Sequence, residues 1–378
     1  MSDLTTSASE SGALPEAARG DQRVVVRSIG TSPAAVTNAL RGFAGGGSSE
    51  ATRLLLQAPS ILVEGVSETF GQQLATILRE AGLEVGVEDN DAPFEPGVGD
   101  HEVALTLRNP ARLREVAGAI SGFLGCDVNK AAQLAWASPA LLIGKVSAAT
   151  VEALRARFEP LEVEVDASRT ADATYDVYLG ADVDSSRIVV VQALRDLGIR
   201  ATETGPLLAT GLNRTQADRL WGRAGRRAPI RLLDHAFQRF DIRLLSAPDT
   251  PAVRAHLMAT TGMPERIVPK LLGSLPTVLH ESVRYDDAPR LLQELDALGA
   301  KAEARLVTFM AFDLVVTSVK DPRAALTVMQ AFVEDDGLMG KLQRPPVPIA
   351  GPFTLTRARW MQRELESVGV KARLEERA

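Results

Sequence analysis

The side chains of this 378-residue chain best suited to chemistry are four histidines, one cysteine and a cluster of arginines. His101, His235, His256 and His280 are scattered, and none forms the H-x-x-H or H-E-x-x-H pair that sets two imidazoles on one helix face for a metal. Cys126, in SGFLGCDVNKAAQ, has Asp127 beside it and no neighbouring histidine, so it reads as a structural thiol. The stretch GFAGGGSSE (42–50) could offer backbone N–H groups to an anion. It lacks both the Gly-Lys-Ser/Thr ending of a P-loop and the G-x-G-x-x-G spacing, and reads as a turn between helices. No Ser-x-x-Lys, nucleophile-elbow or kinase signature occurs. These patterns predict a protein that is not an enzyme and uses no metal or cofactor.

The remaining charged feature is NRTQADRLWGRAGRRAPIRLLDHAFQRF (213–240), in which Arg214, Arg219, Arg223, Arg226, Arg227, Arg231 and Arg239 outnumber Asp218 and Asp234. Arginines beside Trp221 could stack on bases or grip phosphates. Helical spacing favours a different arrangement, with Trp221 facing the core and the arginines on the solvated face, where they would dock a neighbouring domain or an acidic protein.

Composition narrows the classes. The chain is too long for one small core, and 45% hydrophobic residues with only 4% aromatics imply several aliphatic cores. A net charge of −6 provides no overall basic field for nucleic acid, and no apolar run approaches the ~18 residues that a membrane span needs. One cysteine excludes an internal disulfide framework, so a reducing, cytoplasmic setting is expected. Residues 1–22 are polar and small, and read as a disordered tail.

The elements that must position these residues recur. The phrase APSILVEGVS (58–67) returns as SPALLIGKVS (138–147), and in outline as GPLLATGLN, LPTVLHESVR and PVPIAGPFT. Each copy reads as a proline, a short apolar strand and a helix cap. The positions matching Ser67 are Ser147, Asn213, Arg284 and Thr354, four good N-caps out of five. Upstream lies an alternating strand, then a cap with proline, as in Ser32-Pro33, Asn109-Pro110, Thr250-Pro251 and Asp321-Pro322. Downstream lies an amphipathic helix, a stop such as Gly82, Gly299 or Gly369, and a final strand. The periodicity predicts an α+β chain of about five small β-α-α-β-α-β domains near 23–88, 101–167, 174–235, 240–307 and 311–376, each a three-stranded sheet with helices on one face. Polar linkers fall at 89–100 and 168–173, and the last three repeats abut.

The first repeat, through AAVTNALRGFAGGGSSEATRLLLQAPSILVEGVSETFGQQLATILREAGLEVGVE, resembles the C-terminal domain of the bacterial ribosomal stalk protein, whose fold is shared with the Clp protease adaptor. The resemblance rests on Arg41-Gly42, the Gly45, Gly46 and Gly47 turn, the Ala58-Pro59 stop and EGVS. It implies recruitment of a translation GTPase or another nucleotide-driven machine through Arg41 and that turn. The family's other first- and second-helix lysines fall here at Pro33, Asn38 and Thr52. The expectation is therefore a non-catalytic protein-binding scaffold or adaptor, with Arg41, Gly45, Gly46, Gly47, Arg223, Arg226 and Arg227 as candidate contacts. The alternatives are factor recruitment through the first repeat and nucleic-acid binding through the third.

Overall fold

The computed structural model describes residues 18–40, 48–180, 184–202, 205–330 and 337–377. Among them are five three-stranded sheets, and in each the first strand lies between the other two. In the first repeat, β1 (Arg19–Ser28), α1 (Ala34–Ala39), α2 (Ser48–Leu56), β2 (Ser60–Val66), α3 (Glu68–Glu80) and β3 (Glu84–Asp89) follow in order. The second contains β4 (His101–Leu107), α4 (Leu113–Leu124), α5 (Val128–Ala135), β5 (Ala140–Val146), α6 (Ala148–Phe158) and β6 (Val163–Arg169). The third contains β7 (Thr174–Leu179), α7 (Asp184–Asp196), β8 (Leu207–Asn213), α8 (Arg214–Ala224) and β9 (Ile230–Asp234). Its described residues hold one helix, not two, before the second strand. The fourth contains β10 (Arg239–Ser246), α9 (Pro251–Thr261), α10 (Val268–Leu272), β11 (Thr277–Arg284), α11 (Ala288–Ala297) and β12 (Lys301–Leu306). The fifth contains β13 (Phe312–Ser318), α12 (Pro322–Gln330), α13 (Leu338–Leu342), β14 (Val347–Phe353), α14 (Leu355–Ser367) and β15 (Lys371–Glu376). The class is α+β, built from small tandem sheets.

Local rules explain these elements. Ser67, Ser147, Asn213 and Thr354 each accept the N–H of the residue three positions on, at the start of α3, α6, α8 and α14. Asn213 also completes a capping box with Gln216. The fourth repeat, where the pattern offers Arg284, starts α11 later, after Asp287, with no side-chain cap bond. Gly82, Gly299 and Gly369 take the left-handed stop, and after Pro160 the non-glycine Glu162 takes it instead at φ +58°. The cores are mainly aliphatic, with a few buried rings such as Phe158, Tyr175, Phe312 and Phe353. In the first repeat, Val24, Val26, Leu55, Leu62, Leu74 and Leu78 close over one face of the sheet, and burial of each large side chain contributes about 1.5–3 kcal/mol.

Two expectations need correction. Residues 19–22 belong to β1, where Arg19 and Gln22 pair with Val66, so the end of the stretch read as a polar tail extends the central strand of the first sheet. The stretch 89–100 is fastened down as well. Arg23, buried within β1, donates to the carbonyls of Asn90 (3.0 Å) and Ala92 (2.7 Å) and lies over Phe94, while the Gly97 N–H bonds the Pro59 carbonyl at 2.7 Å.

Contacts divide the chain into two compact units. One comprises Met1–Val103, Arg114–Gln133 and Ile143–Val165, and the other Ala104–Leu113, Leu134–Leu142 and Asp166–Ala378. Within the first, α6 lies across the first repeat. Its cap hydroxyl, Ser147 Oγ, donates to the Ala58 carbonyl, and Ser147 N and Thr150 Oγ1 both reach the Leu56 carbonyl at 2.9 Å. At its other end Arg157 donates to the carbonyls of Gly30 (3.1 Å) and Ser32 (2.8 Å). Within the second unit, α14 uses the corresponding surface of the second repeat. Thr354 Oγ1 donates to the Trp136 carbonyl, Trp360 stacks on Trp136 with ring centroids 5.7 Å apart, Arg357 lies over Trp136, and α14 packs along Pro110–Arg112. Positions 56 and 136 each stand three residues before a cis proline, Pro59 and Pro139. One docking mode therefore appears twice, with the start of a third helix seated on the carbonyl end of another repeat's second helix.

Candidate functional surface on the third repeat

The arginine-rich helix α8 buries Ala217, Leu220 and Ala224. At about 100° per residue, this stripe leaves Arg219 and Arg223 on the opposite, solvent side, together with Arg226 and Arg227 in the following turn, all exposed. Arg223 lies 4.0 Å from Asp196 of α7, an exposed pair worth little in water. Among the described residues, Arg219, Arg226 and Arg227 make no ion pair. Arg214 turns elsewhere: it donates to the Tyr175 hydroxyl at 3.1 Å and to Asp218 at 3.0 Å, and the first of these bonds drives its pKa upward.

Trp221 does not face the core; it is 52% exposed. The apolar stripe is too narrow to include it, because position 221 lies about 40° outside Ala217, at the stripe's edge, and about 100° from Leu220. The indole instead runs along the helix end, where a Cβ added at Gly225 would lie 2.7 Å from its Cδ2. Arg219 and Arg223 each lie two residues from Trp221, about 160° away around the helix. Trp221 thus lies on a different face of α8 from Arg219 and Arg223 and forms no common stacking platform with them.

The other residues singled out by type do not converge. Arg41, Gly45, Gly46 and Gly47 lie outside the described residues. Cys126 is a half-buried free thiol between α4 and α5, and the Ser121 hydroxyl bonds its carbonyl at 2.7 Å. Among the described residues no group of three His, Cys, Asp or Glu side chains is placed to hold a metal ion. His101 sits beside Asp100 at 2.8 Å. His235 is held by Asp176 (2.7 Å), whose other oxygen accepts from Gln238 (2.8 Å), and its ring stacks on Tyr285 with centroids 3.9 Å apart. This cluster crosslinks the third and fourth repeats. No described helix is long and apolar enough to cross a membrane.

His280, on β11, is held below the ordinary imidazole pKa, first by burial and then by the field of His256. A group with a depressed pKa binds fewer protons folded than unfolded, so stability is present above the ordinary value of ~6.5 and is lost as pH falls toward the folded value. Urea midpoints measured across this range should fall on acidification, and His280→Gln should flatten the dependence.

Sequence inspection missed one repeated polar device. Tyr175-Asp176, Phe240-Asp241 and Phe312-Asp313 open the central strands of the last three repeats. Each aspartate accepts a backbone N–H from an irregularity in the neighbouring strand: Gly211 (3.2 Å), Ser282 (2.9 Å) and Gly351 (2.6 Å). Gly211 and Ser282 are in the left-handed region at φ +75° and +51°, as in bulges that remove one N–H from the ladder. The recurring aromatic-Asp pair was the available signal. No protein-family model matches the sequence, and no solved structure matches the chain.

Proposed function

We propose that this chain is a non-catalytic, multidomain protein-binding scaffold, and that the outer face of α8 takes an acidic segment of a partner protein. The observation that carries the reading is the exposed row of Arg219, Arg226 and Arg227, none paired with a carboxylate among the described residues, on a chain whose overall charge is −6. Keeping these three guanidinium groups exposed near one another costs self-repulsion, which an acidic partner would offset. Arginine is also the cation best suited to gripping carboxylates in pairs. The division of Trp221 from Arg219 and Arg223 favours a protein partner over single-stranded nucleic acid, which gains by interleaving aromatic stacking with phosphate contacts. Recruitment of a translation GTPase through the first repeat is the companion proposal; it rests on the stalk-like phrase containing Arg41.

The test is a titration of the full chain with a fluorescent Asp/Glu-rich peptide. Saturable binding is expected, with at least a tenfold loss, or about 1.4 kcal/mol, in Arg219→Glu/Arg226→Glu/Arg227→Glu. A preference for single-stranded DNA over the peptide, with affinity falling steeply as salt rises, would replace this reading with the nucleic-acid one. Absence of binding to either would remove the role assigned to α8.

A further inference from the structure

The docking mode of α6 and α14 has a third surface of the same kind. In the fifth repeat, the Pro345-Pro346 peptide is cis and Val347 pairs with Val316, just as Ala58-Pro59 is cis and Ser60 pairs with Val26 in the first. Gln343 therefore stands where Leu56 and Trp136 stand, three residues before the cis proline. Gln343, Arg344, Pro345 and Pro346 are all exposed. An open groove of about 660 Å³ lies there, lined among the described residues by positions between Gly337 and Pro348. Asp321, exposed in the loop before α12, stands where Ser32 and Asn109 border the other two seats, but Lys320 precedes it, and with Lys341 and Arg344 the described residues of this surface carry three cations against one carboxylate.

We infer that this seat receives the start of α11 from a second copy of the chain. The third helices of the second and fifth repeats are already engaged, as described above. That of the first is covered from its own chain, since Ser67 N donates to the Ala18 carbonyl at 2.7 Å. That of the third is closed by its Asn213–Gln216 capping box and begins with Arg214, which a basic seat repels. Only α11 begins without a side-chain cap bond. It follows two exposed aspartates, Asp286 and Asp287, and carries Glu294 and Asp296 against a single Arg290. Acidic head and basic seat are complementary, and the uncapped N–H groups would meet the α13-end carbonyls through the partner contacts seen twice within the chain. Because head and seat are different surfaces, the contact is heterologous and builds a ring or an open row of copies. The inference does not depend on the role proposed for α8.

Sedimentation of the full chain over a concentration series provides the test. The wild-type chain should associate as concentration rises. Asp286→Lys/Asp287→Lys should abolish association, as should Lys320→Glu/Arg344→Glu, with circular dichroism unchanged in both. An equimolar mixture of the two folded variants should associate again, because each head then meets a seat of opposite sign. A wild-type chain that stays monomeric throughout, variants that associate as well as wild type, or a mixture that fails to associate would each overturn the proposal.

Discussion

Replacing Arg239 with leucine should lower the stability of the second compact unit by about 3–5 kcal/mol, the cost of leaving a buried charge without its partner. Arg239 and Asp166 are both nearly inaccessible, with side-chain exposures of 7% and 6%, and form a direct ion pair. The site is more than a pair. Thr106 donates to Asp166 at 3.2 Å and receives the Arg239 Nε–H at 3.2 Å, while Thr308 receives the Arg239 backbone N–H at 2.9 Å. A cavity of about 50 Å³ lies against these groups. Strands from three repeats therefore meet at one carboxylate: β4 through Thr106, β6 through Asp166 and β10 through Arg239. Arg284, itself half exposed, approaches Asp166 at 3.4 Å and should hold the loss toward the lower end of the range. The double variant Arg239→Leu/Asp166→Leu should recover most of the stability, since an apolar pair of similar volume often matches a buried ion pair. Urea unfolding of the two variants checks the ordering. A single variant as stable as wild type would show that Asp166 is solvated.

The contrast between this cluster and the repeat pattern shows what the sequence exposes to inspection. Caps, stops and short apolar strands act over three or four residues, so Ser147, Thr354 and Gly82 could be read from their neighbours alone. The α+β class followed from them. Arg239 sits in the sequence among the surface arginines, and nothing nearby reveals that its partner lies 73 positions upstream. Trp221 was misplaced for a different reason. A large aromatic next to Leu220 suggests burial, yet the width of the buried stripe is set by what packs against it, and the alanines at 217 and 224 leave room for close approach only along a narrow line. The aspartates of the bulges were legible in principle, since the aromatic-Asp pair repeats, but its meaning lies in an N–H on another strand. The double use of the cap hydroxyls was not legible, because a serine that caps its own helix gives no local sign that it also donates to another repeat.

That double use makes Ser147 and Thr150 the place where the arrangement of the first two repeats can be cut. Ser147→Ala/Thr150→Val is expected to cost roughly 3 kcal/mol, from about 1 kcal/mol for the lost cap and about 1 kcal/mol for each buried hydrogen bond removed. Both side chains are buried, at 2% and 0% exposure, so water cannot easily replace them at the carbonyls of Ala58 and Leu56. Thr150→Val keeps nearly the same volume, so its share of the loss measures the hydrogen bond, whereas Ser147→Ala also shortens the helix start. The loss should fall on the contact between α6 and the first repeat and leave the sheets in place. Hydrogen exchange should speed up at the Ser147 N–H, which bonds Leu56, and at the Gly97 N–H, which bonds Pro59 on the same seat. The strand amides of Val24 and Val26 should keep their protection. If exchange instead accelerates evenly through β1, the first repeat depends on this contact for its own folding, and the seat is part of its core. If neither Ser147 nor Gly97 responds, the hydroxyls contribute only local capping, and the shared geometry of α6 and α14 rests on backbone shape and on packing such as the Trp136–Trp360 stack.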